Sequence, residues 1–225
     1  MNDFPYAIVG FDLDGTLVDS SPDIAAAANH ALSIAGRPAL PVAELALMIG
    51  NGSRKLLERA MARTGGDVSR AEMAPLLDAF MTHYQANLCN STTVYPGVIP
   101  LLDQLGASGC TLAVVTNKFE SFATDLLDQL GLLDHFATVI GGDTMGPGRS
   151  KPEADPIVEM IRRCGGGRTV FIGDTTTDVR AADAAGVPCI AVSFGFNDLP
   201  PHQLGAAAVI DHFDELVPLL RASAP

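Results

Sequence analysis

Two carboxylates follow an apolar run near the start of the chain. The run Ala-Ile-Val-Gly-Phe ends at Phe11, and Asp12, Leu13, Asp14 and Gly15 come directly after it. Ligands of open parallel sheets bind beyond the carboxyl ends of the strands, and a glycine lets the backbone turn away there. An acidic turn is the alternative interpretation of this segment alone. The pattern favours Asp12 and Asp14 as candidate catalytic or metal-binding groups.

A second apolar run also ends in a carboxylate. Phe171, Ile172 and Gly173 precede Asp174, and Asp178 follows one helical turn later. Taken alone, Asp178 is equally well explained as a helix cap. Four carboxylates in one crevice would repel each other strongly unless a cation compensated them. A hard divalent ion that takes oxygen ligands and also binds phosphate fits magnesium, so the sequence predicts a Mg²⁺ site.

Hydroxyl, amide and ammonium groups occur in two further segments. Thr116 and Asn117 follow an apolar run and are suited to hold phosphoryl oxygens, and Lys151 lies between Ser150 and Pro152 ahead of a helical pattern. Lysine side chains usually face solvent, which is the alternative for Lys151 in isolation. Because Lys151 occurs together with two carboxylate pairs and a polar strand end, we interpret it as part of an anion-binding site.

The elements that would position these residues alternate between strand and helix. Most of the six candidate strands are continuously apolar, as expected for strands covered on both faces. They are Ala7–Phe11, Thr111–Thr116, Thr138–Gly141, Thr169–Gly173, Cys189–Ser193 and Ala207–Ile210. Helical patterns lie between several of them. This order predicts an α/β fold with a Rossmann-like parallel sheet wrapped by helices.

Residues 18–91 depart from that alternation, because they contain several helical patterns and no convincing strand. Ser21 is a candidate helix cap with Pro22 at the first helical position. Ser69 and Glu72 form a capping-box pattern, and Pro75 is expected to kink the following helix or shift its start. We therefore predict an all-helical cap domain at 18–91, inserted into a core formed by 1–17 and 92–225.

The composition limits the class of partner. The 225 residues are 48% hydrophobic, which is enough for one core and a smaller satellite, and their formal net charge is −12. Such a charge repels nucleic acids and anionic membranes on average. A small anionic substrate would need local cations. The polar start resembles no signal peptide and no apolar run is long enough to span a membrane, which predicts a cytoplasmic protein.

The segments DLDGT, VVTNK, SKP and GDTTTD together resemble the haloacid dehalogenase superfamily of phosphotransferases. Their order and spacing match the family over nearly the whole chain. The resemblance implies a Rossmann-like core with a helical cap inserted after the first strand. It also implies a small phosphorylated metabolite as substrate. The oligomeric state is left open between monomer and homodimer.

The resemblance also implies a role for each candidate residue. Asp12 would attack phosphorus to give an aspartyl-phosphate, and Asp14 would act as general acid and base. Mg²⁺ would be held by Asp12, the Asp14 carbonyl and Asp174, with Asp178 orienting these ligands. The transferring oxygens would be bound by Thr116, Asn117 and Lys151. Dehalogenation is not expected, because Asp14 and the metal-binding carboxylates are present.

The predicted cap bears on the substrate. Gly50 and Arg54 belong to a Gly-rich segment with two cations that could close over an anionic leaving group, although a solvent-facing turn explains it equally well. The stretches GNGSRKLLERAM and LAVVTNK are similar to phosphoglycolate phosphatases, which implies 2-phosphoglycolate. The segments RSKPEADP and GDTTTD depart from the usual pattern of that group. The alternatives are a beta-phosphoglucomutase-like mutase, a phosphatase of another sugar phosphate or of pyrophosphate, and an inactive phosphate-binding module.

Overall fold

The computed structural model describes residues 4–223 and divides into two compact units. The core unit runs up to Val18 and resumes at Val94, and the helical unit comprises Asp19–Thr93. Both divisions fall within a small two-stranded sheet, formed by β2 (Val18–Asp19) and β3 (Thr93–Val94).

The core unit is built on a six-stranded sheet. Its strands are β1 (Ile8–Phe11), β4 (Thr111–Val115), β5 (Thr138–Ile140), β6 (Thr169–Gly173), β7 (Cys189–Val192) and β8 (Ala208–Ile210). They lie in the order β5-β4-β1-β6-β7-β8, and every neighbouring pair is parallel. Phe11 is in register with Val114 on one side and Ile172 on the other, so β1, β4 and β6 end close to the same edge of the sheet.

Five helices of the core unit connect and cover the strands. They are α5 (Val98–Ala107), α6 (Glu120–Gln129), α7 (Asp155–Arg163), α8 (Thr176–Ala184) and α9 (Leu216–Ala222). Helix α7 packs on β1, β4 and β5, and α8 packs on β6 and β7. The predicted α/β fold class is confirmed. The strands end within one residue of the predicted limits, and Thr169–Gly173 matches the prediction at both ends.

The helical unit contains four helices: α1 (Ser21–Ile34), α2 (Val42–Ala46), α3 (Ser53–Gly65) and α4 (Arg70–Ala86). The predicted capping box is confirmed, since Ser69 Oγ accepts from the Glu72 amide at 3.3 Å and the Ser69 amide donates to Glu72 Oε2 at 2.9 Å. Pro75 lies inside α4 and does not shift its start.

The predicted cap of α1 is wrong by one residue. Ser20 occupies the capping position and Ser21 is the first residue of the helix. The Ser21 hydroxyl instead donates to Asp19 Oδ1 at 2.6 Å, which satisfies it outside the helix. Within residues 4–223, no helix has the length and apolar character needed to cross a membrane.

Candidate active site

The site residues follow the carboxyl ends of the three adjacent strands β4, β1 and β6. Asp12 comes after β1, Thr116 after β4 and Asp174 after β6. Backbone hydrogen bonds continue one residue past the strands, because the Asp12 amide donates to the Ile172 carbonyl at 2.8 Å and the Thr116 amide to the Ile140 carbonyl at 2.9 Å. The parallel register thus brings residues that are far apart in sequence to one edge of the sheet.

Three carboxylates form a buried cluster at this edge. Asp12, Asp174 and Asp178 each place an oxygen within 4.8 Å of the others. Burial raises the pKa of Asp174 well above its usual value, and the charges of Asp178 and Asp12 raise it further. Burial likewise raises the pKa of Asp12 to about 7, although the Lys151 ammonium opposes the shift. Hard oxygen ligands with unfavourable mutual repulsion are suited to a divalent cation, so these residues fit a magnesium site.

Lys151 is buried between two of these carboxylates. Its Nζ donates to Asp12 Oδ1 at 2.7 Å and to Asp178 Oδ1 at 2.6 Å, and lies 5.4 Å from the centre of the Phe171 ring. Burial disfavours the charge on Lys151, but the two carboxylates outweigh it and hold the pKa of the ammonium above its usual value. Lys151 is therefore a fixed positive charge beside Asp12, and the interpretation of it as a solvent-facing lysine is wrong.

Asp178 is both a member of the cluster and the third helical residue of a capping box in which Thr175 is the cap residue. Its Oδ2 accepts from the Thr175 amide at 3.0 Å and the Thr175 hydroxyl at 2.7 Å, ahead of α8. Its Oδ1 accepts from Lys151. Asp178 therefore takes part in capping from the third helical position instead of the cap position, and its other oxygen belongs to the cluster.

A loop after β7 contributes to the site and was missed from the sequence. The Phe196 amide donates to Asp174 Oδ2 at 2.7 Å, and Asn197 Nδ2 donates to the Asp174 carbonyl at 2.6 Å. Gly195 lets this loop approach, because a Cβ there would lie 2.4 Å from Asp174 Cβ. The available signal was a Gly-Phe-Asn segment after a buried strand of the same parallel sheet.

The segment after β4 contacts both the loop that carries Lys151 and the carboxylate of Asp14. Asn117 Nδ2 donates to the Lys151 carbonyl at 3.0 Å, which ties the segment to the lysine loop. Lys118 was also missed as a site residue, although the motif containing it was recognised. Its Nζ donates to both oxygens of Asp14, at 2.7 and 2.9 Å.

The charges at this edge do not cancel. Lys118 pairs with Asp14, and Lys151 pairs with Asp12 and Asp178. Together with Asp174, the site thus has four carboxylates and two ammonium groups. When all six groups are ionised, two negative charges remain. A divalent cation would compensate both, which is a second reason why the residues fit such an ion.

The two predicted substrate-binding residues outside the core unit belong to the helical unit. Gly50 lies before α3 with a φ of 103°, and Arg54 lies in the first turn of α3. Arg54 lines an open cavity of ≈ 640 Å³ within this unit, together with Glu58, Asp67, Val68, Arg70 and Met73. Contact of Gly50 or Arg54 with substrate stays a prediction.

Comparison with known proteins agrees with the resemblance found in the sequence. Residues 9–192 match the family model described as haloacid dehalogenase-like hydrolase. A phosphoglycolate phosphatase of Agrobacterium fabrum is 41% identical over 96% of this chain and 92% of the relative. One from Mesorhizobium japonicum is 39% identical over 93% of this chain and 92% of the relative.

A solved structure is similar over the same length. The crystal structure of a predicted phosphoglycolate phosphatase from Haemophilus somnus has a TM-score of 0.87 and 30% sequence identity, and the match covers 97% of this chain and 99% of that one. The expected similarity to phosphoglycolate phosphatases is confirmed by these relatives. The chain belongs to the haloacid dehalogenase-like hydrolase family.

Proposed function

We propose that the protein is a Mg²⁺-dependent phosphatase that hydrolyses 2-phosphoglycolate to glycolate and phosphate through a phosphoaspartate on Asp12. The chain is a phosphoric monoester hydrolase by its family and relatives; the substrate, the ion and the intermediate are the proposal. The observation that carries it is the position of Asp12, which shares a buried cluster with Asp174 and Asp178 and contacts the fixed charge of Lys151.

The proposed metal ligands are Asp12, the Asp14 carbonyl and Asp174, with Asp178 beside them. Bound Mg²⁺ would supply positive charge for the phosphoryl oxygens and would lower the repulsion between the phosphate and the carboxylates. The Phe196 amide and the Asn197 side chain hold Asp174 in place. The cap formed by Thr175 fixes the orientation of Asp178.

In the first half of the proposed reaction, a carboxylate oxygen of Asp12 attacks phosphorus while the ester P–O bond breaks. The Asp14 carboxyl donates its proton to the departing alkoxide, which leaves as glycolate. In the second half, water attacks phosphorus and Asp14 takes a proton from that water. The bond between phosphorus and the Asp12 oxygen breaks, which releases inorganic phosphate and restores the free carboxylate of Asp12. Atoms and protons balance over the two steps.

Charge on the transferring oxygens is offset by groups that the fold already holds in place. Lys151 is buried and doubly hydrogen-bonded, and Thr116 and Asn117 lie on the adjacent strand end. Most of the catalysis in phosphoryl transfer comes from such positioning and electrostatic stabilisation. Gly50 and Arg54 are proposed to bind the anionic leaving group, which agrees with the carboxylate of 2-phosphoglycolate.

Phosphate release from a panel of esters, with and without Mg²⁺, tests the proposal. We expect Mg²⁺-dependent turnover with a clear preference for 2-phosphoglycolate. Broad, weak activity would refute the substrate assignment. Phosphoryl transfer back to a sugar without phosphate release would indicate the mutase alternative. No turnover of any ester in the panel would indicate a binding module.

Asp12→Asn tests the nucleophile. We expect kcat to fall on the order of 10⁴-fold or more, because loss of an attacking group typically has an effect of this size. Asp78→Asn is the matched control, since Asp78 is exposed on α4 in the helical unit. A retained rate in Asp12→Asn, with circular dichroism matching the wild type, would contradict the phosphoaspartate.

A further inference from the structure

Lys118 lies beside Asp14, the proposed acid/base group, and contacts both of its carboxylate oxygens. The side chains of Lys118 and Asp14 are 5% and 12% exposed, and the ammonium donates to both carboxylate oxygens. A single donor contacting both oxygens restricts rotation of the carboxyl group about its bond to Cβ. Asp14 is therefore held in one orientation by a group on a different strand end.

The backbone of Lys118 is itself fixed. Its amide donates to Thr116 Oγ1 at 3.2 Å, and its carbonyl accepts from the Gly142 amide at 2.8 Å. The two glycines after β5 make this approach feasible. A Cβ at Gly142 would lie 2.6 Å from the Asn117 carbonyl oxygen, and one at Gly141 would lie 2.2 Å from the Glu120 amide nitrogen. The backbone from which the Lys118 side chain extends is thus held by the segment after β5, and its Nζ is held by the two Asp14 oxygens.

Stability alone is a weak explanation for this ion pair. Removing two charges from water costs free energy that their attraction often fails to recover, so an apolar pair frequently stabilises a fold equally well. Lys118 also contacts the carboxylate that must exchange protons twice in each proposed cycle. A function in that exchange explains both its burial and its partner.

We propose that Lys118 is a positioning residue that orients the Asp14 carboxyl group for proton transfer to the leaving alkoxide and from the attacking water. The inference rests on the proposed function and adds a residue to it. Lys118 acts through Asp14 and does not itself bind the substrate. Its loss should therefore affect steps that need proton transfer and spare those that do not.

The basicity of the leaving group distinguishes a step that needs the Asp14 proton from one that does not. An alkyl phosphate such as 2-phosphoglycolate expels a strongly basic alkoxide that needs the proton of Asp14, whereas 4-nitrophenyl phosphate expels a stable phenolate. For Lys118→Met, we expect kcat to fall roughly 10- to 100-fold on the alkyl phosphate that the wild-type enzyme hydrolyses fastest. This loss is part of the roughly 10²–10⁴-fold rate enhancement that acid–base catalysis contributes. The first-turnover burst of 4-nitrophenolate precedes hydrolysis of the phosphoaspartate and needs no proton from Asp14, so its rate should fall less than about 3-fold. The KM for the alkyl phosphate should stay within about 2-fold of wild type.

A double-mutant cycle with Asp14→Asn gives a test on the alkyl phosphate alone. If Lys118 acts through Asp14, adding Lys118→Met to Asp14→Asn should lower kcat by less than about 2-fold, since non-additivity marks residues that act as a unit. Lys118→Arg, which keeps donors and charge, should restore part of the rate. Thermal unfolding of each variant shows whether the fold is retained.

Several results would overturn the role of Lys118. An equal loss in kcat on the alkyl phosphate and in the rate of the 4-nitrophenolate burst would indicate a general structural effect, and additive losses in the cycle would separate Lys118 from Asp14. A raised KM for 2-phosphoglycolate with an unchanged kcat would make Lys118 a substrate ligand instead. A wild-type protein inactive on every ester would refute the proposed function itself, which distinguishes that failure from the failure of this inference.

Discussion

Individual residues of the site combine two contacts that the sequence presents as alternatives. Asp178 completes the capping box of α8 by accepting from Thr175 with one oxygen, and it accepts from Lys151 with the other. Lys151 is a typical surface residue by type but is buried because two carboxylates compensate its charge. At this scale the sequence predicts which residues are polar at strand ends, but hydrogen-bond partners depend on distances that only the folded chain sets.

Gly195 provides a test of how closely the β7 loop must approach Asp174. In Gly195→Ala, the added Cβ would lie 2.3 Å from the Gly15 carbonyl oxygen and 2.4 Å from Asp174 Cβ, so the loop must move. We expect Asp174 to lose its bond from the Phe196 amide and the affinity for Mg²⁺ to fall roughly 10- to 100-fold, as for other changes behind metal ligands. Calorimetric titration with Mg²⁺ measures the affinity.

Gly106→Ala is the matched control for that substitution. Gly106 lies within α5, and a Cβ there would meet no atom within 4 Å. Alanine is the better helix former, so we expect the free energy of unfolding to rise by about 0.5–1 kcal/mol with Mg²⁺ affinity unchanged. Equal Mg²⁺ affinity in Gly195→Ala and the wild type would show that the loop is not needed to hold Asp174.

At the scale of elements, the strands were predictable because burial on both faces makes them continuously apolar. Each predicted strand, Thr169–Gly173 for example, lies in the observed sheet. The short strands β2 and β3 were not identified as strands, since two residues carry no periodicity. The start of α1 was misplaced because Ser20 and Ser21 are both acceptable caps by type.

A buried carboxylate in the first turn of α1 links that helix to the end of the helical unit. Asp23 is 4% exposed and accepts from the amides of Ser91 and Thr92, at 2.9 and 2.8 Å, and from the Thr92 hydroxyl at 2.8 Å. Asp23→Ala would leave the buried amide and hydroxyl of Thr92 without their acceptor. We expect it to lower the free energy of unfolding by about 2–3 kcal/mol, measured by urea denaturation.

The control for Asp23 is another aspartate of the same unit. Asp78 is exposed on α4, so Asp78→Ala should change the free energy of unfolding by less than about 0.5 kcal/mol. A similar effect of the two substitutions would mean that the Asp23 contacts contribute little to the stability of the helical unit.

At the scale of the whole molecule, the core unit contains its own sheet, buried apolar cluster and eight site side chains. The cluster includes Ile8, Ile140, Met160 and Phe171. The site side chains are Asp12, Asp14, Thr116, Asn117, Lys118, Lys151, Asp174 and Asp178. An inserted helical unit was predictable because helical patterns interrupt the strand order, whereas its contacts with substrate were not, because cationic side chains such as Arg54 are also common on solvated surfaces.

The core unit should therefore fold without the insertion. Replacing residues 20–92 by a flexible linker of about six residues should leave a protein that unfolds cooperatively on heating. Because Mg²⁺ would bind only the folded state, an ion concentration 100 times its Kd should stabilise this protein by about 2.7 kcal/mol. Calorimetry with and without Mg²⁺ measures both properties. Non-cooperative unfolding would show that the helical unit is needed for the core, and a missing Mg²⁺ effect would place part of the ion site outside it.

The contact of the segment after β4 with Gly141 and Gly142 has a consequence for protein engineering. The carbonyl of Asn117 and the amide of Glu120 occupy the space that side chains at these two positions would fill. The conformation of the segment that carries Thr116, Asn117 and Lys118 therefore depends on the glycine pair after β5. A transplant of this loop into another scaffold, or an exchange of its sequence between homologues, would have to carry the glycine pair with it, since the two stretches fit only as a matched set.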